Sequence, residues 1–351
     1  IIATFTVSKQ LNLIQNKDLG FEKENLIYTW TSGLNNNAIR NELMKNPSII
    51  NVAGSGVQLD WIGWWQTIKE WEGKSEDEPV SFGILETDYE YLDTYGMKLS
   101  EGRYYSTEFP SDATDAVVVN EAAVKAMQME SPIGKSIQYN GQKLNIVGVV
   151  KDFHFASLHS PITPILFVLY PKQLRCLGIK VKGENIASTL SYIKKVLSTS
   201  EPDYVLEYQF LDEQLNTLYV NEQRLWKLYQ YFSFISIFIS CLGLFGLALF
   251  TTEQRVKEIG IRKILGASIS NIAILLCEDF TKWILLANLI AWPIAYFFMD
   301  KWLQNFAYRI EISWPVFALA GGLALVIALL TMSAQIIRVA TTNLVGALRN
   351  E

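Results

Sequence analysis

The chain has 351 residues, 50% of them hydrophobic and 19% charged, with a formal net charge of −5 and a mean hydropathy of +0.16. That composition excludes a disordered chain, a collagen-like chain and a disulfide-dense mini-protein. From Leu228 onward there are nine Lys/Arg against seven Asp/Glu, and before it twenty-one against twenty-eight; an acidic part thus precedes a slightly basic one, and the lack of any basic block argues against holding nucleic acid.

The first residues, IIATFTVSKQLNLIQNKDLGF, read as the last two turns of an apolar helix running into a polar one. They have neither the basic start nor the small-residue cleavage site of a secretory signal. Residues 1–19 are therefore expected to be the end of a truncated transmembrane helix and the start of a stalk, with a frayed amphipathic terminus as the alternative.

Residues 20–210 are expected to form an α+β domain of two subdomains. Runs rich in Val, Ile, Leu and aromatics, punctuated by Gly, Pro, Asn or Ser, predict strands at Leu26–Trp30, Ile49–Val57, Ala116–Val119, Lys143–Val150, Ile165–Tyr170, Leu177–Val181 and Tyr204–Phe210. Helices are predicted over Asn37–Lys45, Asn120–Met127 and Asn185–Leu197, with Asn residues as N-caps. Trp61–Lys98 reads as an insertion. The irregular spacing of its Trp61, Trp64, Trp65 and Trp71 favours a small core over a recognition surface.

From Asp212 the helical signal runs to the membrane without Gly or Pro. Leu211, Leu215, Leu218, Leu225, Tyr229 and Phe232 follow steps of four and three, interrupted by Glu222, as in the seam of a two-helix coiled coil. A stalk continuous with the first span is expected, or ordinary packing of this helix against an upstream one.

Residues 211–351 are read as this stalk helix plus a membrane domain. Leu228–Thr252 holds no charged residue, longer than the roughly 20 apolar residues that cross a bilayer. Uncharged Trp283–Met299 follows an amphipathic lead carrying Glu278, Asp279 and Lys282, and uncharged Ile312–Ile337 contains Gly321 and Gly322. Spans are placed at about 228–252, 272–299 and 312–337. The loop after the first span holds Arg255, Lys257, Arg262 and Lys263, and Arg338 and Arg349 follow the third, so the Lys/Arg bias places both on the cytoplasmic side. The loop Asp300–Glu311 and the acidic domain then face outward, with Trp302, Phe306, Tyr308 and Trp314 suited to an interfacial belt. Gly243 and Gly246 suit close helix packing, between copies or within the chain.

No catalytic arrangement emerges. Gly134-Lys135-Ser136 resembles the end of a phosphate loop, but Met129 stands where the loop needs its first Gly, and IQYNGQKL reads as strand instead of helix. His154 and His159 lack further ligands at zinc-like spacing, and no G-x-S-x-G or H-E-x-x-H occurs. Cys176, Cys241 and Cys277 offer no disulfide framework. No metal site or cofactor is expected in this chain.

The loop EQRVKEIGIRKILGASISNI places Val256, Ile259, Ile261, Ile264 and Leu265 largely on one helical face, with the basic residues elsewhere; Gly266-Ala267-Ser268 reads as a stop followed by a fresh N-cap. By itself this is a basic amphipathic helix at a membrane surface, where a lipid-facing anchor is the simplest role. KEIGIRKILGAS, with Glu278-Asp279-Phe280, Pro293-Ile294-Ala295 and MDKWLQNFAYRIEISW, resembles FtsX-like permeases of the MacB type of ABC transporter, in the form common in Bacteroidetes. YLDTYGMKLSEGR, VVVNEAAVKAM, SPIGKSI and VGVVKDFHFASLHSPITP resemble that family's periplasmic core domain. Leu344 departs from the family, whose members tend to have Pro there.

The resemblance implies a multi-pass protein of the bacterial inner membrane with a large periplasmic domain between the first two helices of a four-helix unit, this chain matching the second of two such units in long relatives. It implies that ATP and Mg are bound by a partner ABC-type ATPase contacting the loop at Arg255, Lys257, Glu258, Ile259, Gly260, Ile261, Arg262, Lys263, Gly266 and Ala267. A second permease half or copy is a further implied partner, as are a periplasmic adaptor and an outer-membrane channel. The expected function is efflux of peptides or small toxic compounds driven by motion transmitted from the ATPase. The alternatives are lipoprotein extraction, or a scaffold regulating a cell-wall hydrolase or reporting to a kinase.

Overall fold

The alternating apolar runs of the acidic part are joined into one sheet in the computed structural model, which describes residues 1–34, 36–74, 79–170, 174–201 and 207–341. The chain divides into two units, Lys17–Val220 and Ile1–Asn16 with Asn221–Glu351.

Eleven strands are found among the described residues of the first unit: β1 Leu26–Trp30, β2 Ile49–Ser55, β3 Trp65–Ile68, β4 Val80–Thr87, β5 Leu99–Gly102, β6 Ala116–Asn120, β7 Ser136–Tyr139, β8 Gln142–Val150, β9 Ile165–Leu169, β10 Cys176–Val181 and β11 Tyr208–Phe210. Their order is β11-β1-β10-β2-β4-β9-β6-β8-β5, with β3 beside β4 and β7 beside β8. The pairs β4·β9 and β6·β8 are parallel and the others antiparallel. The β7–β8 hairpin closes on Asn140-Gly141, both at positive φ as a two-residue turn of matching twist requires.

The two subdomains expected from the sequence are two halves of one continuous sheet. Among the described residues β2 and β4 share one residue pair, Ser55 with Thr87. On either side of it the Gly56 N–H donates to Glu86 O (2.9 Å) and the Asp88 N–H to Gly54 O (3.2 Å). The pleat sends alternate side chains to opposite faces. One face carries a core common to both halves, with Tyr28, Leu85, Val118, Phe153 and Phe167. The other carries two separate cores. Val52, Leu177 and Ile179 pack with Ile39 and Leu43 of helix Asn36–Leu43 and Ile193 and Leu197 of helix Ile186–Ser200. Phe82, Ile84, Val117, Val119 and Ile146 pack with Ala123 of helix Glu121–Ala126.

Three sequence expectations are corrected here. Trp61–Lys98 is no insertion: it contains β3 and β4, and β4 lies in the middle of the sheet, buried on both faces, so its run VSFGILET shows no clean alternation. Asn120 caps its helix by accepting the Ala123 N–H (3.0 Å), but Asn185, at φ 56°, makes no such side-chain bond. The helix leaving the domain is not continuous with the first span. It runs over Leu211–Thr217, turns at Leu218 and Tyr219, and resumes as Val220–Gln254. Tyr219 is held by tertiary contacts: its hydroxyl accepts the Leu158 N–H (2.8 Å) and its ring stacks on His159.

The other unit is helical, with helices Ile2–Asn16, Val220–Gln254, Val256–Ile264, Ile269–Leu303 and Trp314–Thr341. Among the described residues three segments are long and apolar enough to cross a membrane: Val220–Gln254, Phe280–Leu303 and Trp314–Ser333. The helix Ile2–Asn16 buries Val7, Leu11 and Ile14 at steps of four and three. Its fully buried Gln10 acts as a substitute strand partner for the loop after the second apolar segment: Nε2 donates to Tyr308 O and Oε1 accepts the Ile310 N–H, both at 2.9 Å. A buried amide left without such bonds would be costly. Gly321 admits Trp292, whose ring would lie 3.2 Å from an added Cβ. A Cβ on Gly243 or Gly246 would meet nothing among the described residues, so neither glycine is needed for close packing against them.

Candidate coupling surface

The first apolar helix ends in a corner. Thr252, buried, turns its Oγ1 back to Ala248 O (2.5 Å), and the Arg255 N–H is shared between Thr251 O and Thr252 O at 3.2 Å. The helix Val256–Ile264 follows directly. Ile259 is buried in a cluster with Ala248, Ala328 and Met332, and Gly260 is buried beside it. These residues seat the short helix on the bundle.

The remaining apolar residues point away. Ile261, Ile264 and Leu265 are 56%, 76% and 80% exposed, a row of aliphatic surface that nothing in the described chain covers. Arg262 and Glu258 pair across one helical turn at 2.7 Å, both partly exposed. Such a pair contributes a few tenths of a kcal/mol and mainly fixes where each charge stands. Helix end and restart follow the predicted punctuation. The Leu265 N–H reaches Ile261 O (3.0 Å) and the Ala267 N–H reaches Arg262 O (2.9 Å), with Gly266 at φ +90°. An added Cβ there would meet no described atom, so the left-handed backbone is what requires glycine. Ala267 packs against the Ile259 cluster, and Ser268 Oγ accepts the Asn271 N–H (3.2 Å), opening the next helix. Arg255 lines an open groove with Leu247, Phe280 and Trp283. Lys257 and Lys263 belong to the same helix; their side chains, and that of Val256, lie outside the described ones.

The expected stalk seam divides. Leu211 and Leu215 are buried in the common core of the sheet domain, while Leu218 and Leu225 are exposed. A spacing of four serves equally for docking on a sheet and for pairing with a second helix, and here the sheet takes the first two leucines.

The residues considered for chemistry are spread out. His154 is buried, and burial together with the charge of Lys17 pushes its imidazole down to about 4. His159 Nδ1 lies 2.6 Å from Ser157 Oγ. Gly134-Lys135-Ser136 leads into β7, a strand where a phosphate loop needs a helix. Among the described residues no group of three His, Cys, Asp or Glu is placed to hold a metal ion.

The family of MacB-like periplasmic core domains matches residues 3–192, and that of the FtsX-like permease C-terminal region matches residues 231–344. The chain belongs to the FtsX-like ABC transporter permeases with a MacB-like periplasmic core domain. Curated relatives of this permease include the macrolide export ATP-binding/permease protein MacB of Aggregatibacter actinomycetemcomitans, 25% identical over 217 residues, 56% of this chain and 33% of that protein. MacB of Bartonella henselae is 25% identical over 232 residues, 58% of this chain and 34% of that protein. The permease thus spans about a third of the length of these relatives. Among solved structures, the periplasmic region of MacB from Actinobacillus actinomycetemcomitans covers 59% of this chain and 98% of its own, at 16% identity and a TM-score of 0.42. The extracellular domain of the ABC-type transporter YknZ from Gram-positive bacteria covers 52% and 96%, at 14% identity and a TM-score of 0.38.

Proposed function

We propose that this chain is a permease subunit of an ABC transporter in a bacterial inner membrane, with its sheet domain in the periplasm. In this reading it passes ATP-driven motion from a cytoplasmic partner ATPase, which binds the ATP and Mg, to that domain. The observation that carries the reading is the row Ile261, Ile264 and Leu265, exposed beside the paired Arg262 and Glu258 on a short helix that Ile259 anchors to the end of an apolar helix. An apolar ridge flanked by fixed charges suits a protein cleft, with burial supplying affinity and charge supplying register. Efflux of peptides or small toxic compounds is the output that family membership favours. A second permease copy or half would complete the membrane assembly, and its helices would have the unused faces of Gly243 and Gly246 available for close approach. A periplasmic adaptor and an outer-membrane channel would carry the export onward.

The test is purification of the full-length protein from its own host in mild detergent, with an ATPase sought among the co-purifying proteins. The unmodified chain is expected to retain an ABC-type ATPase, and the double variant Arg262→Glu, Lys263→Glu to lose it. Absence of any ATPase from the folded, unmodified protein, or its retention by the charge-reversed one, overturns the reading.

A further inference from the structure

We propose that the sheet domain carries a binding cleft for an organic cation with a flat apolar body, built across the junction of β2 and β4. The pairing Cys176 with Ser55 and Ser55 with Thr87 sets Arg175, just before β10, and Gly56, just after β2, abreast of Glu86 on β4. By the pleat all three face away from the common core, into the space between the two smaller cores. The opening measures about 470 Å³, the size of a small-molecule site.

Its floor is Ile84 and Gly56. Gly56 matters for what it lacks: the Glu86 carboxylate leans over it, with Oε2 2.6 Å from where a Cβ would stand. Glu86 is half-buried, burial pushes its carboxyl pKa up, and no ion pair holds it among the described residues. Tyr139, half-buried, and Trp64, 68% exposed, supply aromatic walls. The wall is braced, because Gln66 Nε2 on β3 donates to Asn140 Oδ1 in the hairpin turn (3.0 Å). Trp61 and Trp65 are also exposed nearby in sequence, so three of the four tryptophans expected to make a small core lie on the surface, and only Trp71 packs into one.

This set of groups selects its ligand by chemistry. A partly desolvated carboxylate attracts a cation more strongly than an exposed one does. The faces of Trp and Tyr attract a cation through their quadrupoles and an apolar ring through contact. Arg175 also lines the cleft, but it is exposed, so its repulsion of a cation is screened by solvent more than the attraction of half-buried Glu86. The cleft is lined from both halves of the sheet, by Gly56 and Arg175 on one and by Glu86, Trp64 and Tyr139 on the other, so its occupant lies between them. Cation binding in this cleft requires no ATPase partner, so either property can be lost while the other remains.

The experiment uses the full chain in a nonionic detergent and two fluorinated probes, 4-(trifluoromethyl)benzylammonium and 4-(trifluoromethyl)benzoate, followed by fluorine NMR with detergent alone as the baseline. The ammonium probe is expected to bind at least about tenfold more tightly than the benzoate. Glu86→Gln and Trp64→Ala are each expected to weaken the ammonium by about tenfold with the melting temperature unchanged. Gly56→Ala, which displaces the carboxylate, is expected to weaken it similarly. Binding no greater than to detergent alone, benzoate binding as tight as ammonium, or an undiminished Glu86→Gln variant each overturns the proposal.

Discussion

Alanine at both Ile264 and Leu265 separates a docking ridge from a merely exposed one. In the free chain these side chains are 76% and 80% exposed, so their loss should change stability by no more than about 0.5 kcal/mol. Covered by a partner, each is worth about 1.5–3 kcal/mol relative to exposure, and the pair about 3 kcal/mol after allowing for the alanine that remains. That corresponds to roughly a hundredfold weaker association. Ile259→Ala has the opposite profile: Ile259 is 4% exposed, and its truncation should cost about 2–4 kcal/mol of stability by leaving a cavity. The assay titrates the co-purified ATPase against detergent-solubilised chain, beside thermal unfolding of each variant. An ATPase affinity within threefold of the parent for Ile264→Ala, Leu265→Ala would refute the docking argument. Lost affinity for lipid vesicles, with the ATPase still bound, would show instead that the ridge lies in lipid headgroups.

Arg103 makes two parallel bonds to Asp112 (2.6 and 2.7 Å), whose side chain is 2% exposed; Arg103→Ala strands a buried carboxylate and should destabilise the sheet domain by about 3 kcal/mol. Urea unfolding followed by tryptophan fluorescence reads this, and a loss under about 1 kcal/mol would contradict it. Asp88 accepts the Gly54 N–H (2.6 Å) beside the junction, and burial pushes its carboxyl from 3.8 up to about 6. The folded state therefore binds its proton more readily than the unfolded state, so this group adds stability as pH falls through 6 and withdraws it as pH rises. Relative to Asp88→Asn, the parent should gain about 1 kcal/mol between pH 7 and pH 5. His154, depressed to about 4, loses stability over part of the same range in both proteins and cancels in the comparison. A pH-independent difference between the two would count against the burial argument.

Legibility in the sequence followed how locally each feature is determined. The stop and restart at Gly266-Ala267-Ser268 depends on one left-handed residue and one cap, and both were readable. Runs such as Ala116–Asn120 and Ile165–Leu169 declare themselves by β-branched and aliphatic density alone. The strand β4 was hidden because burial on both faces erases alternation and Gly83 interrupts it. The helical wheel placed Ile259, Ile261, Ile264 and Leu265 largely together, yet only contact with Ala248 and Met332 shows which of them is covered. Leu211 and Leu215 were periodic without naming their partner. The Glu86 cleft was out of reach, since it depends on strand register bringing residues 56, 86 and 175 abreast.

The junction of β2 and β4 has a mechanical meaning. Neighbouring strands β6 and β8 are laced over five residue pairs, whereas β2 and β4 share one. A plate stitched so unevenly would not flex uniformly: torque applied to one side would concentrate at the thin stitch, with the common core on one face as the bearing. On the opposite face the cores of the two sides are separate, and among the described residues the side chains around Gly56 lie between them. A molecule lodged there would work as a shim, setting the angle between the sides by its thickness. The stiffness of the plate can thus be retuned by one small residue or one small ligand while every strand keeps its own ladder.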